Sequence, residues 1–320
     1  MKKITATFLV FVSLCCFSYT FGQETQKKKI KTIIIDPGHG GVDPGARGLF
    51  STEAAVSLDV SLKLGKVIEK EFPDIKLVFT RTTDDLPGNK TSIDAALRYR
   101  ADLANASGGD LFIAIHCNSA GRKAGGWYGR RVSHYVTKNK RVRVKKKWVT
   151  KKVQVPVYEN YWIENLVKGT ETYIWATNKN NAKVNSMTQN NEYYGEIDST
   201  STIELPDPDD PAENARMLIY TLNYFRKSLN LASLIEKQFA ESGRLSRGVK
   251  QRNDKGIWVL QATGMPSILV EIGFISNKEE EEYLNSEAGQ NEIVTNIVNA
   301  LRAYIHHVEG KPKPEEQKAF

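Results

Sequence analysis

Four residues of this sequence have the types and settings that hydrolytic chemistry needs. His39 follows the apolar run Lys31–Ile35 and the turn Asp36-Pro37-Gly38, and Gly40 and Gly41 come directly after it. His116 closes a second apolar run, Leu111-Phe112-Ile113-Ala114-Ile115, and Glu53 opens a segment with helical spacing. Two imidazoles and a carboxylate with a fourth position left open are the donor set of a catalytic zinc ion, which polarises a carbonyl and activates water. Taken singly, each histidine also fits a structural or solvated role, and Glu53 fits the preference of carboxylates for a helix N-terminus. The fourth residue, Glu271, sits inside the very apolar stretch Ile268–Phe274. An unpaired carboxylate is costly to bury there. It therefore either pairs with a buried arginine or serves as a general base facing the metal.

Such groups converge only if the chain brings them to one edge. Lys31–Ile35, Lys76–Thr80 and Asp110–Ile115 read as strands, and Glu53–Glu71 and Ile93–Ala106 as helices. Strands alternating with helices predict an α/β domain with a twisted, mostly parallel sheet flanked by helices. In such sheets ligands bind beyond the carboxyl ends of the strands, where His39 and His116 stand, and Glu53 would face the same rim. The rhythm breaks after His116. Residues 121–155 hold 13 Lys or Arg and no Asp or Glu, and read as a basic β-hairpin or a mobile loop. Glu171–Trp175 reads as a strand returning to the sheet. Ala212–Phe239 reads as a helix, with Leu218, Leu222, Phe225, Leu229, Leu231, Leu234 and Ile235 as core candidates. Ile257–Gln261 and Ser267–Ile272 are expected as strands, Asn291–His307 as a closing helix, and 309–320 as a disordered tail.

Several motifs in one order resemble the zinc-dependent N-acetylmuramoyl-L-alanine amidases. They are Ile33–Gly41, Glu53, Arg100–Asn105, Ile115–Ser119 and Leu269–Asn277. The resemblance covers about 31–308, read as one catalytic domain interrupted at 121–168 and 178–230. It implies a mixed-sheet α/β fold and hydrolysis of the amide between N-acetylmuramic acid and L-alanine in peptidoglycan. It implies His39, Glu53 and His116 as ligands of one Zn²⁺ ion, and Glu271 as the catalytic glutamate.

Three further residues are weaker candidates for substrate contact or support: Arg81, Arg100 and Asn118. Arg100 also fits a helix-packing role, and Asn118 a turn-shaping one. Cys117 adjoins a ligand candidate, but neighbouring strand residues point to opposite faces, which makes it a core residue. Residues 178–230 resemble the regulatory segment of the division-associated subgroup, in which a helix covers the zinc until a protein partner displaces it. Glu192 is the first choice for the plugging carboxylate, with Glu196 and Glu204 nearby; each also fits a solvated surface.

Composition bounds the rest. The chain has 320 residues, a formal charge of +8, 40% hydrophobic and 26% charged residues, which is globular rather than disordered. Residues 1–22 combine Lys2 and Lys3 with a short apolar run and read as a signal peptide, followed by a polar leader at 23–30. Export through this segment is expected, with the periplasm as the destination and no integral membrane anchor. Two of the three cysteines lie in the signal, so Cys117 has no partner for a disulfide. The expected partners are peptidoglycan and a protein activator, with no nucleic acid. A zinc peptidase acting on cell-wall peptides and a non-catalytic murein-binding adaptor are the alternatives.

Overall fold

Thr32–Pro37 (β1) is buried at all six positions, on both faces of the sheet. A strand covered on both sides reads as a continuous apolar run, which Ile33-Ile34-Ile35 is. In this computed structural model, which describes residues 29–176, 211–254 and 256–310, β1 lies inside a six-stranded sheet. The other strands are Lys76–Phe79 (β2), Leu111–Asn118 (β3), Thr170–Ile174 (β6), Ser246–Gln251 (β7) and Ser267–Phe274 (β8), in the order β2-β1-β3-β8-β6-β7. Gly126–Val144 (β4) and Lys147–Glu164 (β5) pair only with each other. The pairs β1–β2, β1–β3, β3–β8 and β6–β7 are parallel, and β6–β8 is antiparallel. The sheet is thus mixed and mostly parallel, as expected.

Helices cover both faces. Glu53–Glu71 (α1), Pro211–Glu241 (α3) and Glu287–Glu309 (α6) pack with Ile33 and Ile35 into the larger core cluster, through Val60, Leu64, Ile235 and Ile297. Ile34, Phe112 and Ala114 point the other way, toward Ile93–Ala106 (α2) and Trp258–Ala262 (α4). The two-residue period of β1 and β3 therefore sorts their side chains between two cores. Lys278–Asn285 (α5) completes the helices.

Four expectations are corrected. Ile257–Gln261, expected as a strand, lies mostly in helix α4; a four-residue apolar run does not distinguish the two, and β7 takes the sheet edge instead. Leu218, Leu222 and Leu229, expected in the core, are 49%, 48% and 39% exposed. The buried stripe of α3 runs through Thr221, Ser228, Leu231, Ile235 and Phe239, a narrower band than the apolar pattern. Ile30, placed in the leader, is buried in the larger core. The closing helix extends to Glu309 and ends on left-handed Gly310, so the tail begins later than expected. The basic insertion takes the hairpin form. The proposed signal peptide, Glu192, Glu196, Glu204 and residues 311–320 lie outside the described residues.

Candidate metal centre

Register gathers the site. Pro37 of β1 aligns with Ile115 of β3, so His39 and His116 leave adjacent strands at the same edge. His116 aligns with Glu271 of β8, and Glu271 with Glu171 of β6. Aligned residues share a face, so these three side chains form a row across three strands. A register shift follows His116 and bends the strand end at the site. Between β1 and α1 the chain turns sharply. His39 has a φ of 58°, which a small neighbour must accommodate. A Cβ on Gly38 would stand 2.5 Å from the His116 ring, so only glycine lets the loop close over it.

Glu53 lies at the centre. Its Oε1 accepts hydrogen bonds from the Cys117 amide at 3.1 Å and lies 2.8 Å from His116 Nδ1 and 3.1 Å from His39 Nε2. Its Oε2 accepts from the Ala46 amide at 2.8 Å. Thr52 caps α1 through the Ala55 amide, which frees the Glu53 carboxylate to turn toward the histidines. One ligating atom from each of His39, Glu53 and His116 lies within 4.8 Å of the others. Tetrahedral zinc with bonds of about 2.0–2.1 Å sets its ligand atoms about 3.4 Å apart, so small adjustments fit this donor set to the ion.

Three carboxylates with no sequence signal strong enough to single them out support the site. Asp43 Oδ2 lies 2.8 Å from His39 Nδ1. A proton held on Nδ1 by that contact leaves the Nε2 lone pair directed at the centre, the carboxylate–histidine arrangement common around metals. Its place four residues after His39 in a glycine-rich loop was the available clue. Glu281, fully buried on α5, accepts from the amides of Leu49, Phe50 and Ser51 and so clamps the loop that delivers Glu53. Glu171 accepts from Arg247 at 2.6 Å, Lys250 at 2.9 Å, Tyr173 at 2.8 Å and Asn118 at 3.0 Å.

Charge divides these groups. Burial favours a neutral Glu53, yet the hydrogen bonds and charges of His116 and His39 outweigh it and hold the carboxyl well below the usual range. Burial likewise works against a charged His39, but Glu53 and Asp43 together raise its pKa to about 9. Glu271 is less fully compensated: burial, followed by the charge of Glu53, pushes it up to about 8 against the opposing charges of Arg252 and His39. Its Oε2 is buried with no hydrogen-bond partner among the described residues. Among the described residues no arginine forms an ion pair with it, and Arg252 acts on it only through its charge. Cys117 is buried in the larger core, and burial pushes its thiol pKa upward, followed by Glu53 and Glu271.

The weaker candidates separate by their contacts. Arg81 is spent on the carbonyls of Pro37, Thr83, Gly38 and Ala54, so it braces the His39 loop from beneath. Arg100 pairs with buried Asp36 and donates to the carbonyls of Pro37 at 2.8 Å and His39 at 2.6 Å. Asn118 donates to Glu171 and its own Oδ1 accepts from the Ser119 amide. Arg100→Ala strands a buried Asp36 carboxylate. It is expected to cost about 3–5 kcal/mol of stability in a denaturant titration. Arg100→Lys keeps the charge but loses the planar fork, so it falls between the two.

The row opens into a cleft of about 510 Å³. Its walls include Ile93, Leu97, Ile257 and Trp258 on the apolar side, and His39, Glu53, His116 and Glu271 on the polar side. Arg252 also reaches it and was not anticipated. Residues 33–303 match the family model described as N-acetylmuramoyl-L-alanine amidase. This chain belongs to that family. It is 28% identical over 278 residues to the probable N-acetylmuramoyl-L-alanine amidase AmiB of Haemophilus influenzae, covering 85% of this chain and 52% of that protein. It is 26% identical over 282 residues to the amidase AmiC of Escherichia coli, covering 85% of this chain and 52% of that protein. The chain thus spans about half the length of these curated relatives. The fold is shared with the CwlD amidase of Clostridioides difficile, solved in complex with the GerS lipoprotein, at a TM-score of 0.53 and 22% identity, covering 87% of this chain and 99% of that one. An N-acetylmuramoyl-L-alanine amidase of Clostridium difficile 630 gives a TM-score of 0.52 at 22% identity, over 87% of this chain and 98% of that one. Both family motifs and sheet register therefore converge on the same edge of the amidase fold.

Proposed function

We propose that this protein is an exported zinc hydrolase that cleaves the amide between N-acetylmuramic acid and L-alanine in peptidoglycan. The observation that carries this reading is the cluster of His39, Glu53 and His116 beside the unpartnered carboxylate oxygen of Glu271, within the family match. His39, Glu53 and His116 would hold the ion, which when bound supplies Lewis acidity to the scissile carbonyl and the attacking water. Glu271 takes a proton from that water as its oxygen bonds to the lactyl carbonyl carbon. The same carboxyl then delivers the proton to the departing nitrogen as the C–N bond breaks. The products are a lactyl carboxylate and a stem peptide with a free L-alanine amine. A pKa near 8 suits a group that must both accept and return a proton, and a neighbouring cation favours its ionised form.

Asp43 supports the ligand His39 through its second nitrogen, as carboxylates do around metal-bound imidazoles. Asp43→Asn is expected to weaken zinc binding about 10- to 100-fold in a competition titration with a chelating dye.

The segment beginning at residue 178 is proposed to restrain the enzyme until a protein activator moves it, with Glu192 as the plugging carboxylate. This rests on the subgroup resemblance. Export to the periplasm rests on the signal-peptide pattern of residues 1–22. Among the described residues no helix is long and apolar enough to cross a membrane. Deleting 178–210 tests restraint better than a longer deletion, because Thr221 and Ser228 of α3 are buried and Ser228 accepts from the Ser267 amide. The deletion and Glu192→Ala are each expected to raise basal cleavage.

Digestion of purified peptidoglycan with zinc added tests the main reading. Mass spectrometry should find stem peptides beginning with L-alanine and glycan stripped of peptide. Cleavage inside the stem instead would reassign the protein as a peptidase. A folded, zinc-loaded protein that releases neither product, intact or with 178–210 deleted, would favour a binding role.

A further inference from the structure

We propose that the β4–β5 ribbon docks the protein on an anionic phospholipid surface, with its cationic, tryptophan-bearing tip as the contact. Among the described residues the ribbon pairs with no other strand, and two strands alone are marginal in water. Among the described residues its base is tied to the domain, where the Gly125 amide donates to the Ser276 carbonyl and the Asn277 side chain donates to the Asn165 carbonyl. A strand of this length reaches about 60 Å at ~3.3 Å per residue, so the tip stands well away from the cleft.

Charge is segregated along it. Near the base, Arg131 pairs with Glu159 at 2.7 Å. From residue 138 to 152 there are nine Lys or Arg and no Asp or Glu. The register sets Lys140 directly opposite Lys151. Like charges facing each other across two strands repel, and none of the ion pairs among the described residues relieves them. The turn adds Lys145 and Lys146, both at positive φ. An external anion would relieve this repulsion.

Apolar side chains at the same tip choose among anionic partners. Trp148, next to the turn, is 60% exposed, with the Arg141 guanidinium 5.7 Å from its ring. Val144 and Val149 are also exposed. Alternation sets these valines on one face and Trp148 with Arg141 and Arg143 on the other. A soluble polyanion needs only the cations. A lipid surface also accepts the exposed tryptophan at headgroup depth, while its charge attracts the lysines and arginines.

Sedimentation with phosphatidylcholine vesicles, with and without phosphatidylglycerol, tests this. The protein is expected to pellet with the anionic vesicles only, and less as salt is raised. Combined Arg143→Glu, Lys146→Glu and Lys147→Glu should lower partitioning at least about tenfold, and Trp148→Ser by a smaller factor with the salt dependence kept. All four positions lie outside both core clusters. If the triple reversal nevertheless melts early, the neutralising pair Lys147→Gln and Lys151→Gln carries the test, with a several-fold loss expected. Equal pelleting with neutral vesicles, or unchanged partitioning of a folded charge variant, overturns the proposal. Capture on heparin or duplex DNA without vesicle binding also overturns it and assigns the ribbon to soluble polyanions. The readout needs no hydrolysis, so its failure and that of the amidase reading are separate.

Discussion

Glu271→Gln is expected to reduce turnover about 10³-fold while leaving zinc content unchanged. A positioned general base contributes about 10²–10⁴-fold, and this residue is assigned both the proton abstraction and the proton return. Gln keeps the shape and stays clear of the proposed ligand set. Stability should move the opposite way. In the metal-free protein the folded-state pKa of Glu271 is about 8, above its ordinary value of 4.5. The folded protein therefore holds a proton that the unfolded chain has released, and wild-type stability falls as pH rises from about 5 to about 8. The amide does not ionise, so the melting-temperature advantage of the variant should grow across that window. Melting scans at both ends of the window, with metal analysis and muropeptide assays, give all three readouts. A variant that retains turnover would remove Glu271 from the reaction. One that loses zinc would make it part of the metal site instead.

Glu53→Gln should lose both metal and stability. The carboxylate lies within reach of both histidines and accepts two backbone amides. Leaving the partly buried, positive His39 imidazole without it costs about 3 kcal/mol or more. The pH dependence has two sides. Glu53 has a lowered pKa, so its contribution is present above about 4.5 and fades as pH falls. His39 has a pKa raised to about 9. Its contribution is complete below about 6.5 and is lost as pH rises through 9. In metal-free protein the variant should therefore lose most stability between about pH 4.5 and 6.5. With zinc present, wild type gains about 2.7 kcal/mol when free zinc is a hundredfold above its dissociation constant, and the variant should gain almost none. Titration calorimetry and chemical denaturation measure both losses. Full zinc occupancy in Glu53→Gln would exclude Glu53 as a ligand.

The two histidines and Glu271 could be picked out because each interrupts or follows an apolar run where core packing does not call for it, and Glu53 because it opens a helix facing the same rim. His116 and Glu271 follow this logic most clearly, since both sit in strands that are otherwise buried. Their supporting groups carried no comparable sign. Glu281 sits among four consecutive acidic residues of α5, and only the fold shows that it alone is fully buried against the Leu49–Ser51 amides. Glu171 read only as the start of a strand returning to the sheet, and the antiparallel β6–β8 register sets it beside Glu271. Leu218 and Leu222 misled in the other direction, because apolar periodicity marks a helix but not how wide a stripe its neighbours cover.

The amino-acid sequence by itself determined the α/β alternation, the strand-end placement of His39 and His116, and the basic character of residues 121–155, while the structure chose the hairpin over a loop there. All three follow from side-chain period and local composition, which act within a few residues. The tertiary structure alone decided which carboxylates are charged. It did so by packing Glu53 between two histidines and leaving one oxygen of Glu271 without a partner among the described residues. Ionisation inside a protein depends on what lies within a few ångströms, and those neighbours come from residues far apart in the chain.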